Sequence, residues 1–447
     1  MPGPRVRAAV AVAFFTYVLL IRTHDITSTF LLLGEQMRDW TVALGSWRDL
    51  PLTGTPSTAG GRGFGPIYYW LLWFGRHVFG PFTDHLPHAG GITVAVLQSA
   101  ADIWLLVALS RQVPFFLALA VALAIATGPF DVGISSVIWN PPVATALVKM
   151  TMALVLCLGE SPSLWRIAAT AAMAWLSVQA HSSAIFVAGP VLAALVIQPL
   201  LRHAPQRAME AARVVVEVIV LLQLPYIVAQ FRTPAGASGP TVVFDSLAHA
   251  ATVSVGASVS HVVNITTWLL FHTDDSWVYG LLTGMAWVVV AWRWRRDAGL
   301  LAISVVPLVA ATALFSTWTR AYDSYWFLTL APAMALMFGL AVAAIPRAGV
   351  VEKISMGLLA GIVYLQPSHI EVSAQFFKYP QYRALLDGSR AARRRAPVLR
   401  DLRVAFEVHP TTDVQYLYRV LGGRVGDDGA HVAVIQPDGT VIFSPVP

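Results

Sequence analysis

Long apolar runs recur through the first 365 residues of the chain, and most approach the length that crosses a bilayer. A transmembrane helix needs about 20 mostly apolar residues. We predict spans at Val6–Ile21, Gly91–Ser110, Pro114–Pro129, Val143–Leu158, Arg166–Val178, Ser183–Leu201, Ala212–Gln230, Ser276–Trp292, Leu300–Thr317, Tyr325–Ile345 and Ala348–Leu365. The pattern therefore predicts an all-α polytopic membrane protein with about 11 transmembrane helices and membrane lipids as its immediate surroundings.

Composition supports a membrane protein and removes one competing class. Of the 447 residues, 56% are hydrophobic and only 12% are charged, whereas about 25% charged residues is usual in soluble domains. The net charge is +6, but Lys and Arg in short loops are typical of cytoplasmic loops. We therefore expect no nucleic-acid partner. A single cysteine, Cys157, excludes an intrachain disulfide.

The run Phe64–Phe79 decides the orientation of the bundle. If this run does not cross, the N-terminus with Arg5 and Arg7 and nearly every later basic loop fall on the cytoplasmic side. If it crosses, those later loops become external, against the positive-inside rule. We therefore predict an interfacial or re-entrant helix there, inside a long first external loop at residues 22–90. The N-terminus is then cytoplasmic, the protein lies in the cytoplasmic membrane, and the segment Phe231–Asp275 is another external loop.

The composition changes at about residue 366, where charged residues become frequent. The segment DVQYLYRVLGG has a helical pattern, and alternating apolar residues flank Asp438-Gly439 as in a β-hairpin. We therefore divide the chain into a transmembrane domain at residues 1–365 and a small external soluble α+β domain at residues 366–447.

Asp25 is the first candidate for chemistry, because it follows the first span at the expected membrane surface. A carboxylate in that position can accept a hydroxyl proton from a lipid-bound substrate. The stretch Ile26–Trp40 is amphipathic and predicts a helix lying in the interface plane. Asp25 could equally cap that helix, since aspartate at a helix N-terminus accepts bonds from free amides.

Other polar and aromatic residues are expected on the same external side. His24 adjoins Asp25, and Tyr68 and Tyr69 follow a Gly-Pro helix start in GPIYYW. Asn140 lies in WNPP and His181 in QAHSS, both at outward span ends. Arg320 and Tyr322 lie in TRAYDSYW, where an external arginine suits a lipid phosphate. The alternatives are an aromatic belt for the tyrosines, a polar cap for His181, and an Asp323 partner for Arg320.

Three charged residues fall within predicted spans, where charges are rare. Asp102 and Lys149 are predicted to form an ion pair that joins two helices, and Glu217 lies in another span. Acidic residues do not recur at metal-ligand spacing, so a divalent metal is possible but not implied. No nucleotide-binding or nucleophile motif was found.

Taken together, these motifs resemble the GT-C superfamily of membrane glycosyltransferases, in the branch of protein mannosyltransferases and aminoarabinose transferases. The resemblance rests on His24–Asp25, on GPIYYWLL at Gly65–Leu72, on WNPP and QAHSS, and on the run Ala321–Leu336. It implies interfacial helices in the first loop and no cofactor beyond a lipid-linked sugar. The implied reaction transfers sugar from a polyprenyl-phosphate donor to a lipid, glycan or protein hydroxyl, with Asp25 as general base. Many members carry Asp-Glu where this chain has Asp25-Ile26.

Two other classes stay open. A lipid or small-molecule transporter or flippase would explain the many spans and the buried Asp102 and Lys149. A non-catalytic envelope scaffold would use the C-terminal domain to bind partners. Loss of sugar transfer in an Asp25→Asn variant would favour the enzyme, and uptake that depends on Asp102 would favour the transporter.

Overall fold

The computed structural model describes residues 3–56, 62–232, 255–271, 276–315 and 324–446, which are mostly helical. The helices are α1 Pro4–Thr23, α2 Ile26–Thr29, α3 Gly34–Leu44, α4 Ile67–Phe79, α5 His88–Leu109, α6 Phe115–Ala126, α7 Pro129–Ile134, α8 Asn140–Leu156, α9 Leu164–Ala180, α10 Ile185–Leu201, α11 Pro205–Arg232, α12 Val255–Phe271, α13 Ser276–Arg293, α14 Ala298–Ala302, α15 Val305–Phe315, α16 Ala331–Ala343, α17 Ala348–Phe377, α18 Gln381–Arg395 and α19 Tyr416–Val420. The strands are β1 Val398–Leu399, β2 Asp401–Val404, β3 Arg424–Val425, β4 His431–Ile435 and β5 Val441–Pro445.

Five helical segments among the described residues are long and apolar enough to cross a membrane. They are Pro4–Thr29, His88–Leu109, Ser182–Leu201, Pro205–Arg232 and Ala348–Phe377. Shorter apolar helices, among them α6, α8 and α16, pack beside them. The helical membrane architecture is thus confirmed, and the number of about 11 spans stays a prediction.

Helix α5 lies at the centre of the amino-terminal half of the bundle. Helices α1, α4, α6 and α8 all pack against it. Its faces carry the fully buried alanines Ala95, Ala101 and Ala108, and small residues let helix backbones approach closely in a membrane. Four neighbours can therefore surround one helix.

Two predicted segments differ from the structure in the carboxy-terminal half of the bundle. The segment Phe231–Asp275, predicted as a loop, contains the 17-residue helix α12. The single span predicted at Leu300–Thr317 is broken into α14 and α15. Pro307 explains the break, because its ring clashes with the carbonyl four residues earlier, that of Ile303, where α14 ends.

The first external loop, whose external position is a prediction, holds short helices instead of one long amphipathic helix. The predicted helix Ile26–Trp40 is replaced by α2 and α3, which extended residues separate. Helix α4 has 13 residues, so it is about 20 Å long and shorter than the roughly 30 Å hydrocarbon core. Its length supports the interfacial interpretation of this run.

Strands and a short helix follow the last long helix, which continues to Phe377, beyond the predicted end at Leu365. Strands β4 and β5 pair antiparallel in a hairpin, and β2 pairs parallel with β4. The hairpin turn contains Gly439 at φ +83°, a conformation that favours glycine. The predicted hairpin at Asp438-Gly439 is confirmed, and DVQYLYRVLGG contains helix α19 as expected.

The segment from residue 378 to residue 446, hereafter the C-terminal unit, docks on the first external loop. The Tyr379 amide donates to the Thr29 carbonyl at 2.9 Å. Thr412 Oγ1 donates to the Leu32 carbonyl at 2.9 Å, and the Tyr416 hydroxyl donates to the Met37 carbonyl at 3.0 Å. The two ends of the chain therefore build one layer, next to the end of α1.

Candidate active site

Asp25 lies just beyond α1 in an unusual backbone conformation. Its φ is +57°, in the left-handed region, which costs free energy for a residue other than glycine and often marks a functional site. The backbone carbonyl of Asp25 accepts from the amides of Ser28 and Thr29 at 2.8 and 2.9 Å. The carboxylate makes no cap bond to α2 and is 57% exposed. The capping alternative therefore does not explain this residue.

A histidine and a lysine lie close to Asp25. The Asp25 Oδ2 atom lies 3.0 Å from His24 Nδ1. The Lys378 ammonium, at the end of α17, donates to the His24 carbonyl at 2.9 Å. Burial lowers the pKa of Lys378, and the negative charge of Asp25 raises it in opposition. Lys378 was missed in the sequence, because only the docked C-terminal unit brings it back to the first helix.

Directly below this site, four buried charges close a ring, hereafter the charge ring: Arg22, Asp102, Asp131 and Lys149. Arg22 Nη2 lies 2.6 Å from Asp102 Oδ2 and 2.5 Å from Asp131 Oδ1. Lys149 Nζ lies 2.8 Å from Asp102 Oδ1 and 2.6 Å from Asp131 Oδ2. The predicted Asp102–Lys149 pair is confirmed, but it is half of a larger arrangement.

The charge ring joins α1, α5, α7 and α8 one turn before Asp25. Arg22 also donates from Nη1 to Ser99 Oγ at 3.0 Å, and Lys149 donates to Gln98 Oε1 at 2.8 Å. Every charge is therefore balanced and hydrogen-bonded, as a buried charge requires. The ring fixes the end of α1, and through it the position of Asp25. The sequence could have indicated Arg22 and Asp131 as partners, because both are charged residues at the expected external ends of apolar runs.

Glu217 does not belong to this buried set. Its side chain is 57% exposed on α11 and lies 2.7 Å from Arg213 Nε in an i,i+4 pair. Glu217 lies within a candidate span, as predicted, but its partner is Arg213 on the helix surface and not a member of the charge ring.

Tyr68 and Tyr69 converge on a carboxylate that the sequence placed on a polar helix face. Their hydroxyls donate to Asp39 Oδ2 and Oδ1, each at 3.0 Å, and Arg38 Nε donates to Oδ1 at 2.8 Å. The amphipathic pattern of Ile26–Trp40 sets Asp39 with Glu35 and Arg38, apart from the apolar residues. In the structure Asp39 is buried, so the prediction of a polar face is wrong at this residue. These bonds clamp α4 to α3 and raise the pKa of both tyrosines, through burial first and the Asp39 charge second.

Asn140 and His181 meet where α8 begins and α9 ends. Asn140 Nδ2 donates to the Ala180 carbonyl at 3.0 Å, and His181 Nδ1 lies 2.8 Å from Ser183 Oγ. The Tyr325 ring packs on Trp139 and on His181, with centroid distances of 4.6 and 5.9 Å. Burial lowers the pKa of His181 to about 4, so this imidazole is neutral at physiological pH.

Close contacts connect these groups into one layer at the same end of the bundle. Gln36 on α3 donates from Nε2 to the Ile138 carbonyl at 3.3 Å, beside Asn140. Gly65 approaches Gln179 so closely that a Cβ atom would lie 2.3 Å from its Cδ. The predicted site residues therefore lie on one side of the bundle, in separate clusters. Arg320 and Tyr322 lie outside the described residues.

Among the residues that the structure describes, no three His, Cys, Asp or Glu side chains gather in a way that could hold a metal ion. Asp102 and Asp131 are adjacent, but Arg22 and Lys149 occupy their oxygens. Asp25 has only a histidine beside it as a further ligand type.

The sequence matches no protein-family model, and the comparison with curated proteins finds no significant relative. Solved structures share the fold. The chain is similar to ArnT from Cupriavidus metallidurans bound to undecaprenyl phosphate, with 14% identity, a TM-score of 0.56, and coverage of 94% of this chain and 86% of that one. It is also similar to two Archaeoglobus fulgidus oligosaccharyltransferase structures. One is a complex with Zn and sulfate (12% identity, TM-score 0.52, 92% and 62% coverage). The other is AglB with an inhibitory peptide and a dolichol-phosphate (11%, 0.50, 93% and 64%).

These neighbours are GT-C glycosyltransferases, so the chain has the GT-C fold. The resemblance that the motifs at His24–Asp25 and Gly65–Leu72 carried is confirmed at the level of the fold. The shared architecture extends over more than nine-tenths of the chain in each case.

Proposed function

We propose that this protein is a membrane glycosyltransferase that moves a sugar from a polyprenyl-phosphate donor to an acceptor hydroxyl, with Asp25 as general base. One observation carries the proposal: an exposed carboxylate with a left-handed backbone conformation follows the end of α1, next to the charge ring, within a GT-C fold. Strain of that kind persists only where the surroundings hold it.

The chemistry needs few groups. Asp25 takes the proton from the acceptor hydroxyl as its oxygen attacks the anomeric carbon of the sugar. The new glycosidic C–O bond forms while the bond from carbon to the phosphate oxygen breaks, and the carrier phosphate leaves with the electron pair. The phosphate is a good leaving group, so no nucleotide is required. The protein supplies positioning and charge stabilisation.

Similarity to proteins that bind polyprenyl phosphates supports this donor class. The ArnT structure holds undecaprenyl phosphate and the AglB structure holds a dolichol-phosphate. Lys378 is a cation beside Asp25 that suits the donor phosphate, and Arg320 stays a second candidate from its chemistry.

We further propose that His24, Asn140, His181 and Tyr322 line the substrate path. The hydroxyls of Tyr68 and Tyr69 already bind Asp39, so we assign these two residues to holding α4 in place beside the substrate.

The test is sugar transfer in membranes that contain a radiolabelled polyprenyl-phosphate sugar, with wild type and Asp25→Asn at matched expression. Asparagine has the same shape and tolerates the left-handed conformation, so folding is retained. Asp84→Asn is the matched control, because Asp84 is also an exposed aspartate in the first loop with a positive φ of 53°. Loss of a general base lowers the rate by about 10²–10⁴-fold.

Label that moves in wild type and in Asp84→Asn, but not in Asp25→Asn, would support the proposal. Equal transfer in all three proteins would remove Asp25 as the base. No transfer by wild type from mannose, arabinose or glucose donors would favour the transporter or scaffold classes.

A further inference from the structure

A cavity lies at the end of the bundle opposite Asp25. Its volume is about 530 Å³, and α8, α9, α10, α14 and the start of α11 enclose it. This is the end that carries Arg111, Arg166 and Arg202, the basic residues that mark the predicted cytoplasmic side. The cavity has no contact with the charge ring or with Asp25, so its role is separate from the proposed reaction.

The cavity is amphipathic along its depth. The apolar side chains of Ile167, Val191 and Leu195 line it and are buried, so they form its floor. Arg202 and Arg207 also line it but are exposed, so their guanidinium groups lie at its mouth. An apolar pocket under a cationic mouth has the distribution of a lipid, with an acyl chain inside and a headgroup phosphate at the rim.

The turn that follows α10 holds Arg202 at this mouth. Pro199 lies in the last turn of α10, and its carbonyl accepts from the amides of Arg202 and Ala204 in a tight turn. Arg202 Nη1 donates to the Glu160 carbonyl, which fixes the guanidinium across the opening. That bond uses one of the five guanidinium N–H groups.

Carboxylates near the mouth do not cancel this charge. Asp297 caps α14, where its Oδ1 accepts from the Leu300 amide at 2.9 Å. Arg207 lies 3.0 Å from Glu210, but both are exposed, with 60% and 50% of their side chains accessible, so water screens that pair. Glu160 also lines the cavity. Arg111 and Arg166 flank the loop that forms one wall. With Arg202 and Arg207 they make four arginines against the three carboxylates of Glu160, Glu210 and Asp297, so the local balance is positive by one charge.

The surroundings of the mouth are those of a membrane interface. The neighbouring Leu200 and Leu201 are exposed, and Trp165 is 67% exposed beside Arg166. Tryptophan and arginine side by side at a helix end are typical of the headgroup level. A ligand that enters here arrives from the lipid phase.

We propose that this cavity is a binding site for an anionic phospholipid, with its phosphate between Arg202 and Arg207 and one acyl chain against the floor. The charge at the mouth selects an anionic headgroup over a zwitterionic one. The apolar floor selects an intact lipid over a soluble phosphate.

The experiment is native mass spectrometry of the full chain, purified and exposed to equal amounts of phosphatidylglycerol and phosphatidylcholine. Wild type is expected to retain phosphatidylglycerol at least tenfold better, a preference two arginines can supply. The double variant Arg202→Gln/Arg207→Gln should lose that preference. Arg213→Gln is the matched control, because Arg213 lies on α11 as Arg207 does, is 78% exposed and does not line the cavity.

A second variant tests the floor without altering charge. Ala194 lines the cavity and is buried, so Ala194→Phe should exclude the acyl chain and reduce phosphatidylglycerol retention. Retention as in wild type by either the double variant or Ala194→Phe would overturn the proposal. Equal competition by glycerol phosphate, which has the headgroup charge but no acyl chain, would also overturn it in favour of a soluble ligand.

Discussion

The charge ring offers the sharpest test of how the structure holds the candidate active site. In a Lys149→Met variant, the side chain keeps a similar length but loses the ammonium. Lys149 Nζ contacts Asp102, Asp131 and Gln98 at 2.8, 2.6 and 2.8 Å, and its side chain is fully buried. After the change, two buried carboxylates face Arg22 alone, which leaves one uncompensated negative charge.

The expected cost follows from that imbalance. Breaking a buried pair by removing one partner destabilises by about 3–5 kcal/mol, which lowers the ratio of folded to unfolded protein by about 10²–10⁴-fold. A double variant, Lys149→Met/Asp102→Asn, restores neutrality and leaves the 2.5 Å pair between Arg22 and Asp131. We expect the double variant to be more stable than Lys149→Met by about 2 kcal/mol, within the range of measured couplings.

Neutralisation is a better probe than charge reversal. Asp102 also contacts Arg22, and Lys149 also contacts Asp131. A swap of Asp102 and Lys149 would therefore put a lysine against Arg22 and an aspartate against Asp131. The swap should therefore fail although the pair exists.

The assay is unfolding of wild type and both variants in one detergent at fixed lipid content, followed by fluorescence. Lys149→Met should melt several degrees below wild type, and the double variant should recover part of the loss. A Lys149→Met protein as stable as wild type, or a double variant no more stable than Lys149→Met, would refute the view of a balanced ring.

Further predictions concern the residues around the candidate site and the docked C-terminal unit. The native pKa of His181 is about 4 against an ordinary 6.5, so the unfolded chain binds the proton first and stability should fall as pH drops from about 6.5 to about 4. His181→Gln should flatten that part of a melting curve series, and unchanged pH dependence would contradict the assignment. Tyr416→Phe removes the bond to the Met37 carbonyl, worth about 1 kcal/mol, and should speed amide exchange at the docked C-terminal unit about fivefold; unchanged exchange would mean that this contact does not hold the unit. Gly65→Ala should lower the melting temperature by displacing Gln179, whereas Gly189→Ala, with its nearest neighbour at 3.8 Å, should not; equal effects would contradict the close approach.

The sequence pattern predicted the structure correctly where residues close together in the chain determine it. Apolar runs gave the helices, since a buried backbone in lipid must satisfy its own hydrogen bonds. The turn chemistry at Asp438-Gly439 gave the hairpin. Pattern failed where a single residue redirects the backbone: Pro307 split a run that hydropathy joins, and the extended residues between α2 and α3 interrupted a continuous amphipathic stretch.

The candidate site divides in the same way. Sequence alone singled out Asp25 by its place after the first span, and paired Asp102 with Lys149 because isolated charges in lipid are costly. It did not reveal Asp39 as buried, or Lys378 and Asp131 as neighbours of the first helix. Those relations depend on how each helix is rotated and on which distant segments dock together. Hydropathy is a property of one segment, so it predicts that a helix is buried. It does not predict which face of that helix packs against which neighbouring helix. Only tertiary packing decides that.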